Sequence, residues 1–217
     1  MFDVAPGRWG PELRTTFNLL CEQVLEAAEY WANYRALVPS REAADLLRSI
    51  ANDFFALVQG ALANSVILSL GRLSDPPGTP GRYNLSFPRL LMLIDGALDP
   101  ALVAEAKGKW QALVAARGTL SIRALRNKRL AHTDLAVVSG TTTVAGVSVG
   151  EIEALLGGMR DILETLAARG GVEISLDTGC QGDAARGLLR KLQCLGRAEV
   201  AARQNTAGEQ KTMAPGP

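Results

Sequence analysis

Long stretches with one apolar side, each closed by a helix-breaking signal, decide what this chain can fold into. From Pro11 to about Leu37, the residues Leu13, Phe17, Leu20, Val24, Ala28, Trp31 and Tyr34 recur at intervals of three and four. That spacing lines up one face of an α-helix. Pro39 ends the stretch. Ser40 is an N-cap with Glu42 in the following turn, which predicts a second helix of roughly 30 residues towards Leu73. Leu46, Ile50, Phe54, Leu57, Ala61 and Leu68 keep the helical rhythm along it, and Gly60 is the expected bend.

The segment SDPPGTPGRYN (74–84) carries three prolines and two glycines, so it reads as an exposed loop. Ser86 caps a short helix through Ile94, with Pro88 tolerated in its first turn. Asp99-Pro100 opens a fourth helix expected to reach about Leu130, with Val103, Ala106, Trp110, Leu113 and Val114 turned inward and Gly118-Thr119 as the place for a break. Residues from about 135 to 149 are β-branched and dotted with glycine, so they form either a small hairpin or a loop. Ser148 and Glu151 make a capping box that starts a fifth helix, Val149 to Ala168, stopped at Gly170-Gly171. VEISL (172–176) has the composition of a short strand. A last amphipathic helix over 184–202 places Leu188, Leu192 and Leu195 on one side, and the tail 204–217 has almost nothing to bury. The fold class is therefore all-α, an antiparallel helical bundle, with one domain over 11–203 and a disordered tail over 204–217.

Charge excludes some functions. Lys and Arg total 23 against 22 Asp and Glu, a net charge of +1, so any grip on a polyanion must be local. Cys21, Cys180 and Cys194 are odd in number and far apart, which fits neither a disulfide framework nor a zinc site and suits a reducing cytosol. The carboxylates are scattered, and GTTTVAGVSVG lacks the lysine of a phosphate-binding loop, so no metal or cofactor is expected. The N-terminus has no signal-peptide pattern. The apolar window Ala61–Leu70 falls short of the roughly 20 residues of a membrane span. The expectation is a soluble cytoplasmic protein without a membrane partner. Trp9, Trp31, Trp110, Phe54 and Phe55 read as core or dimer contacts rather than base-stacking platforms.

One segment stands out chemically. LRNKRLAHTDL (125–135) holds the chain's single histidine, His132, behind Arg123, Arg126, Lys128 and Arg129. Cations near a helix C-terminus favourably meet the dipole, which is one reading of the cluster. The other is a reaction centre, in which an imidazole moves protons near neutral pH and a guanidinium clamps phosphate oxygens. At about 100° per residue, Arg126 and His132 do not share one ideal helical face, so either the helix ends near Leu130 or a second subunit completes the site. Asp134 is either a partner of His132 or a cap to the loop. Arg72 and Asp75 stand three apart, close enough to pair across a helix's final turn, with positioning of the motif helix as the functional variant.

RNKRLAH, an arginine, a polar residue and a histidine after five intervening positions, resembles the motif of the HEPN superfamily. With NSVILSLGRLSDP (64–76), then NLSFPRLL (84–91), then LRNKRLAHTD in that order, the chain is similar to the AbiU2-like branch linked to phage abortive infection. The similarity spans about residues 15–168. It implies a HEPN-like bundle that forms a homodimer in which two copies of the motif face one another. It also implies a metal-independent endoribonuclease of a phage-defence or toxin type, cleaving RNA by attack of the 2′-hydroxyl. On that reading His132, Arg126 and Asn127 are catalytic, as proton carrier, phosphorane stabiliser and orienting amide. Arg123, Lys128 and Arg129 hold the RNA backbone, and a neutralising antitoxin is a further partner that such a setting allows. The alternative is a non-catalytic module of the same fold that binds RNA or protein.

Overall fold

A computed structural model describes residues 9–127, 146–172, 174–176 and 181–195. Within them the elements are α1 (Pro11–Leu37), α2 (Arg41–Leu73), β1 (Gly78–Thr79), β2 (Arg82–Tyr83), α3 (Phe87–Ile94), α4 (Pro100–Ala115), α5 (Arg117–Leu125), α6 (Val149–Gly170) and α7 (183–195). The fold is all-α, an antiparallel helical bundle; the two strands pair antiparallel over only two residues each.

Local chemistry starts each helix. The Ser40 hydroxyl accepts from the Ala43 amide at 3.3 Å and also holds the Glu42 carboxyl below its usual range. Ser86 caps α3, and the Asp99 carboxylate takes the amides of Ala101 and Leu102 at the head of α4. At α6 both halves of the Ser148–Glu151 capping box are made. The expected fourth helix is in fact two. Ala116 leaves the helical region, and the Thr119 hydroxyl turns back to the Leu113 carbonyl at 2.7 Å, so the chain breaks just before Gly118 and restarts as α5.

The chain forms two compact units. The first comprises Met1–Tyr30 and Ala63–Gly179, the second Trp31–Leu62 and Cys180–Pro217. In the first, Phe17, Leu20 and Val24 of α1 and Leu70 of α2 are buried, as are Phe87, Leu90 and Ile94 of α3, Ala106 of α4 and the Met159–Leu166 face of α6. Phe87 stacks on Trp110 with ring centres 5.3 Å apart, and Trp9 meets Phe17 edge-on at 4.8 Å. Polar ties reinforce the packing. Lys109 of α4 bonds Asp161 at 2.9 Å and Thr165 at 2.7 Å on α6, while buried Arg89 is paired with Glu12 and lies over the Tyr83 ring.

The second unit has a smaller core of Ala36, Leu37, Ala43, Leu47, Phe55, Ala185 and Leu189. Gly182, with φ +76°, lets the start of α7 close on α1, since a Cβ there would lie 2.8 Å from the Ala32 carbonyl oxygen. Two expectations fail in this unit. The bend in α2 is at Ala51 (φ −159°, ψ 75°), not at Gly60. The stripe Ile50, Phe54 and Leu57 is exposed at 46%, 60% and 72%, because the Ala43–Leu47–Phe55 face is the one that meets the core. In α7, likewise, Ala185 and Leu189 go inward while Leu188 and Leu195 face solvent.

Other sequence expectations also shift. The segment read as a plain loop contains the β1–β2 hairpin. Of VEISL, residues 172 and 174–176 are not in a strand. Among the described helices, α2 taken over its full length is long and apolar enough to cross a membrane, which the window Ala61–Leu70 did not suggest; 28% of its apolar window is buried. The expected hairpin near 135–149, apart from residues 146–149, and the tail 204–217 lie outside the described residues.

Candidate functional site

The site is built where α5 ends beside the last turn of α2. Ser121, Ile122 and Leu125 are buried, which fixes the face that α5 turns to the core and leaves Arg123 half-buried. Arg126 and Asn127 follow in a widened, π-type turn, a local feature that often accompanies function.

Arg126 reaches back across 51 positions to Asp75, its Nη1 donating to Oδ1 at 2.6 Å. The two side chains are only 17% and 23% exposed. The Nε–H donates to Asn127 Oδ1 at 3.0 Å. A neighbouring glycine makes room for this arrangement: a Cβ at Gly71 would sit 2.6 Å from Arg126 Cδ, so the arginine's methylene stem crosses α2 where that helix has no side chain. The guanidinium is thus held at both Nε and Nη1, and among the described residues its Nη2 has no hydrogen-bond partner, an edge that suits an anion such as a phosphate oxygen. Asp75 turns to Arg126 rather than to Arg72, its near neighbour in sequence. Asn127, expected to orient an imidazole or a phosphate, accepts at Oδ1 from the arginine, and His132 lies outside the described residues.

On the α1 side, Glu26 is clasped by Gln23 Nε2 at 2.9 Å and by the Tyr30 hydroxyl at 2.8 Å. The hydrogen bond to Glu26, and then that carboxylate's charge, push the Tyr30 phenol above its ordinary value of 10.0, while Arg72 pulls it down. A cavity of about 310 Å³ adjoins Asp75, lined by Gln23, Arg72, Leu73, Asp75, Asn84 and Leu85.

Of the residues singled out in the sequence, the structure places Arg123, Arg126 and Asn127 at one helix end and brings Arg126 onto Asp75. Lys128, Arg129, His132 and Asp134 lie outside the described residues. Sequence reasoning missed the Arg126–Asp75 pairing and the cavity. The available signal was Gly71 one turn before Asp75 in GRLSDP, a small residue where a long side chain could cross. Among the described residues no group of three or more His, Cys, Asp and Glu is placed to hold a metal ion.

Against known families, the model described as AbiU2, of the HEPN group, matches residues 10–169. No curated protein and no solved structure matches the chain. The matched span runs from α1 through α6 and contains both partners of the Arg126–Asp75 bond; α7 lies beyond it.

Proposed function

Because the chain belongs to the AbiU2 family of HEPN proteins, a group associated with abortive infection, we propose that it is a metal-independent endoribonuclease of a phage-defence or toxin type, acting as a homodimer in the cytoplasm. The observation that carries this reading is the built seat of Arg126: Asp75, Asn127 and the gap at Gly71 fix one guanidinium beside a cavity. An arginine that served only to meet a helix dipole would need none of these.

In the reaction, the imidazole of His132 takes the proton of a 2′-hydroxyl as that oxygen bonds to the adjacent phosphorus. The 5′ oxygen of the next nucleotide departs and receives a proton, leaving a 2′,3′-cyclic phosphate. Arg126 stabilises the extra negative charge that builds on the phosphorane, where a fixed cation contributes most. Asn127 steadies the guanidinium, and Arg123, Lys128 and Arg129 hold the flanking backbone of the RNA. Facing motifs in two subunits would supply one imidazole on each side of the scissile bond. A protein antitoxin that covers the site fits the same setting.

Purified protein incubated with total RNA in EDTA tests this. Cyclic-phosphate ends are expected, together with loss of cleavage in Arg126→Ala and in His132→Ala while the oligomeric state is unchanged. Cleavage that persists in either variant removes that residue from the mechanism. RNA binding without cleavage by the wild type would turn the reading to a non-catalytic module.

A further inference from the structure

The cavity beside Asp75 has a hydrogen-bonding pattern that strand cleavage alone does not require. At about 310 Å³ it is of a size to admit a single nucleobase and its sugar. Two amides stand in its wall, and the orientation of each is settled by its partner. Gln23 Nε2 donates to a carboxylate oxygen of Glu26, and Asn84 Nδ2 donates to the Pro76 carbonyl at 2.9 Å. Carboxylates and carbonyls only accept, so neither amide can be turned the other way round. Gln23 Oε1 and Asn84 Oδ1 are thereby left as acceptors, without a hydrogen-bond partner among the described residues. The Gln23 amide is held firmly, since its carboxylate anchor is itself tied to Tyr30.

The third polar element is Arg72, a pure donor, and Leu73 and Leu85 supply apolar surface for the face of a ring. With Asp75, whose second carboxylate oxygen also accepts, the wall therefore offers three acceptors and one cationic donor. Guanine is the nucleobase whose pairing edge complements that set: N1–H and the N2 amino group donate side by side, and O6 accepts. Adenine and cytosine each present one donor beside a ring acceptor, and uracil one donor between two acceptors, so each would leave a wall group unpaired. An unpaired polar group in a pocket is what makes such discrimination steep. We propose that this cavity is a guanine-binding subsite. Its role in selecting a cleavage position rests on the nuclease reading above, whereas its binding of the base does not. Asp75 would link the two, holding Arg126 for the phosphate while forming the wall against the base.

The test titrates 5′-GMP, AMP, CMP and UMP separately into the full-length protein, followed by calorimetry. GMP is expected to bind about tenfold more tightly than each of the others, and Asn84→Ala or Gln23→Leu to weaken GMP by about tenfold with little change for AMP. Asn84 is exposed and Gln23 half-buried, and a thermal melt of each variant checks that the fold survives. Equal affinities for the four nucleotides, an absence of saturable GMP binding, or unaltered GMP affinity in two folded variants would each overturn the subsite. Selective GMP binding by a protein that cuts no RNA would leave the subsite standing and remove the nuclease. Cleavage with no preference for guanine beside the cut, together with indifferent nucleotide binding, would do the reverse.

Discussion

Two phenylalanines show how differently the two units are built. Phe17 in the first unit has no exposed surface, whereas Phe54 in the second is 60% exposed, although both sit on helices in apolar stripes of similar spacing. Of the twelve largest fully buried side chains among the described residues, Leu47 alone belongs to the second unit. One ion pair from each unit shows the same contrast. Arg126–Asp75 and Arg48–Asp45 are both 2.6 Å long, yet the first pair is 17% and 23% exposed and the second 65% and 56%. The lesson is that an apolar stripe or a short contact distance is not itself a stabilising element; what covers it decides its worth. At Phe17 and at Arg126–Asp75 the first unit, which carries the candidate site, has covered both.

Truncating one phenylalanine in each unit separates the two most widely. Phe17→Ala should lose about 3–5 kcal/mol by chemical denaturation, the cost of a cavity in a close-packed core. Phe54→Ala should stay within about 0.5 kcal/mol. A large loss at Phe54, or a change in its sedimentation, would mean that the α2 face is covered in solution and that the second unit is not the bare one. Next in size are the two ion pairs. Asp75→Ala strands a largely buried guanidinium and should cost about 1.5–3 kcal/mol. Asp45→Ala removes a solvated pair and should cost less than about 0.5 kcal/mol. Equal effects would erase the distinction. Gly71→Val belongs beside them: its branched side chain must displace the stem of Arg126, at about 1–3 kcal/mol. It should also abolish RNA cleavage while Asp75 itself remains in place.

The parts of this pattern that were legible in the sequence are those decided within one turn of helix. Ser40, Ser86, Asp99 and the Ser148–Glu151 box announce their helices because a cap bonds amides two or three residues ahead. The buried face of α1 was readable too, since a 3.6-residue period leaves little choice when one stripe is strongly apolar. In α2 two apolar stripes compete, Ala43–Leu47–Phe55 and Ile50–Phe54–Leu57, and only the Ala36, Leu37, Ala185 and Leu189 side chains that pack there show which one is inside. The site was half legible. The residue types of Arg126 and His132 pointed to phosphate chemistry and the family resemblance added Asn127, but Asp75 lies 51 positions from Arg126, and local geometry offered Arg72 as its partner instead.

The smallest effect expected is a titration, and it examines the α1 wall of the same site. The Tyr30 phenol is raised above 10.0 chiefly by donating to Glu26, then by that group's negative charge, with Arg72 opposing. The neutral phenol is the form that bonds, so the contribution to stability is fully present below the unfolded phenol value and is lost as pH rises through the folded one. Ultraviolet titration should therefore place Tyr30 above a free tyrosine. Glu26→Gln should bring it down towards 10.0, and Arg72→Ala should raise it further, because a cation that stabilises the phenolate has gone. A midpoint that ignores Glu26 would show that Gln23, Glu26 and Tyr30 do not form one hydrogen-bonded unit in solution. The fixed orientation of the Gln23 amide would then lose its anchor, since it depends on the same carboxylate.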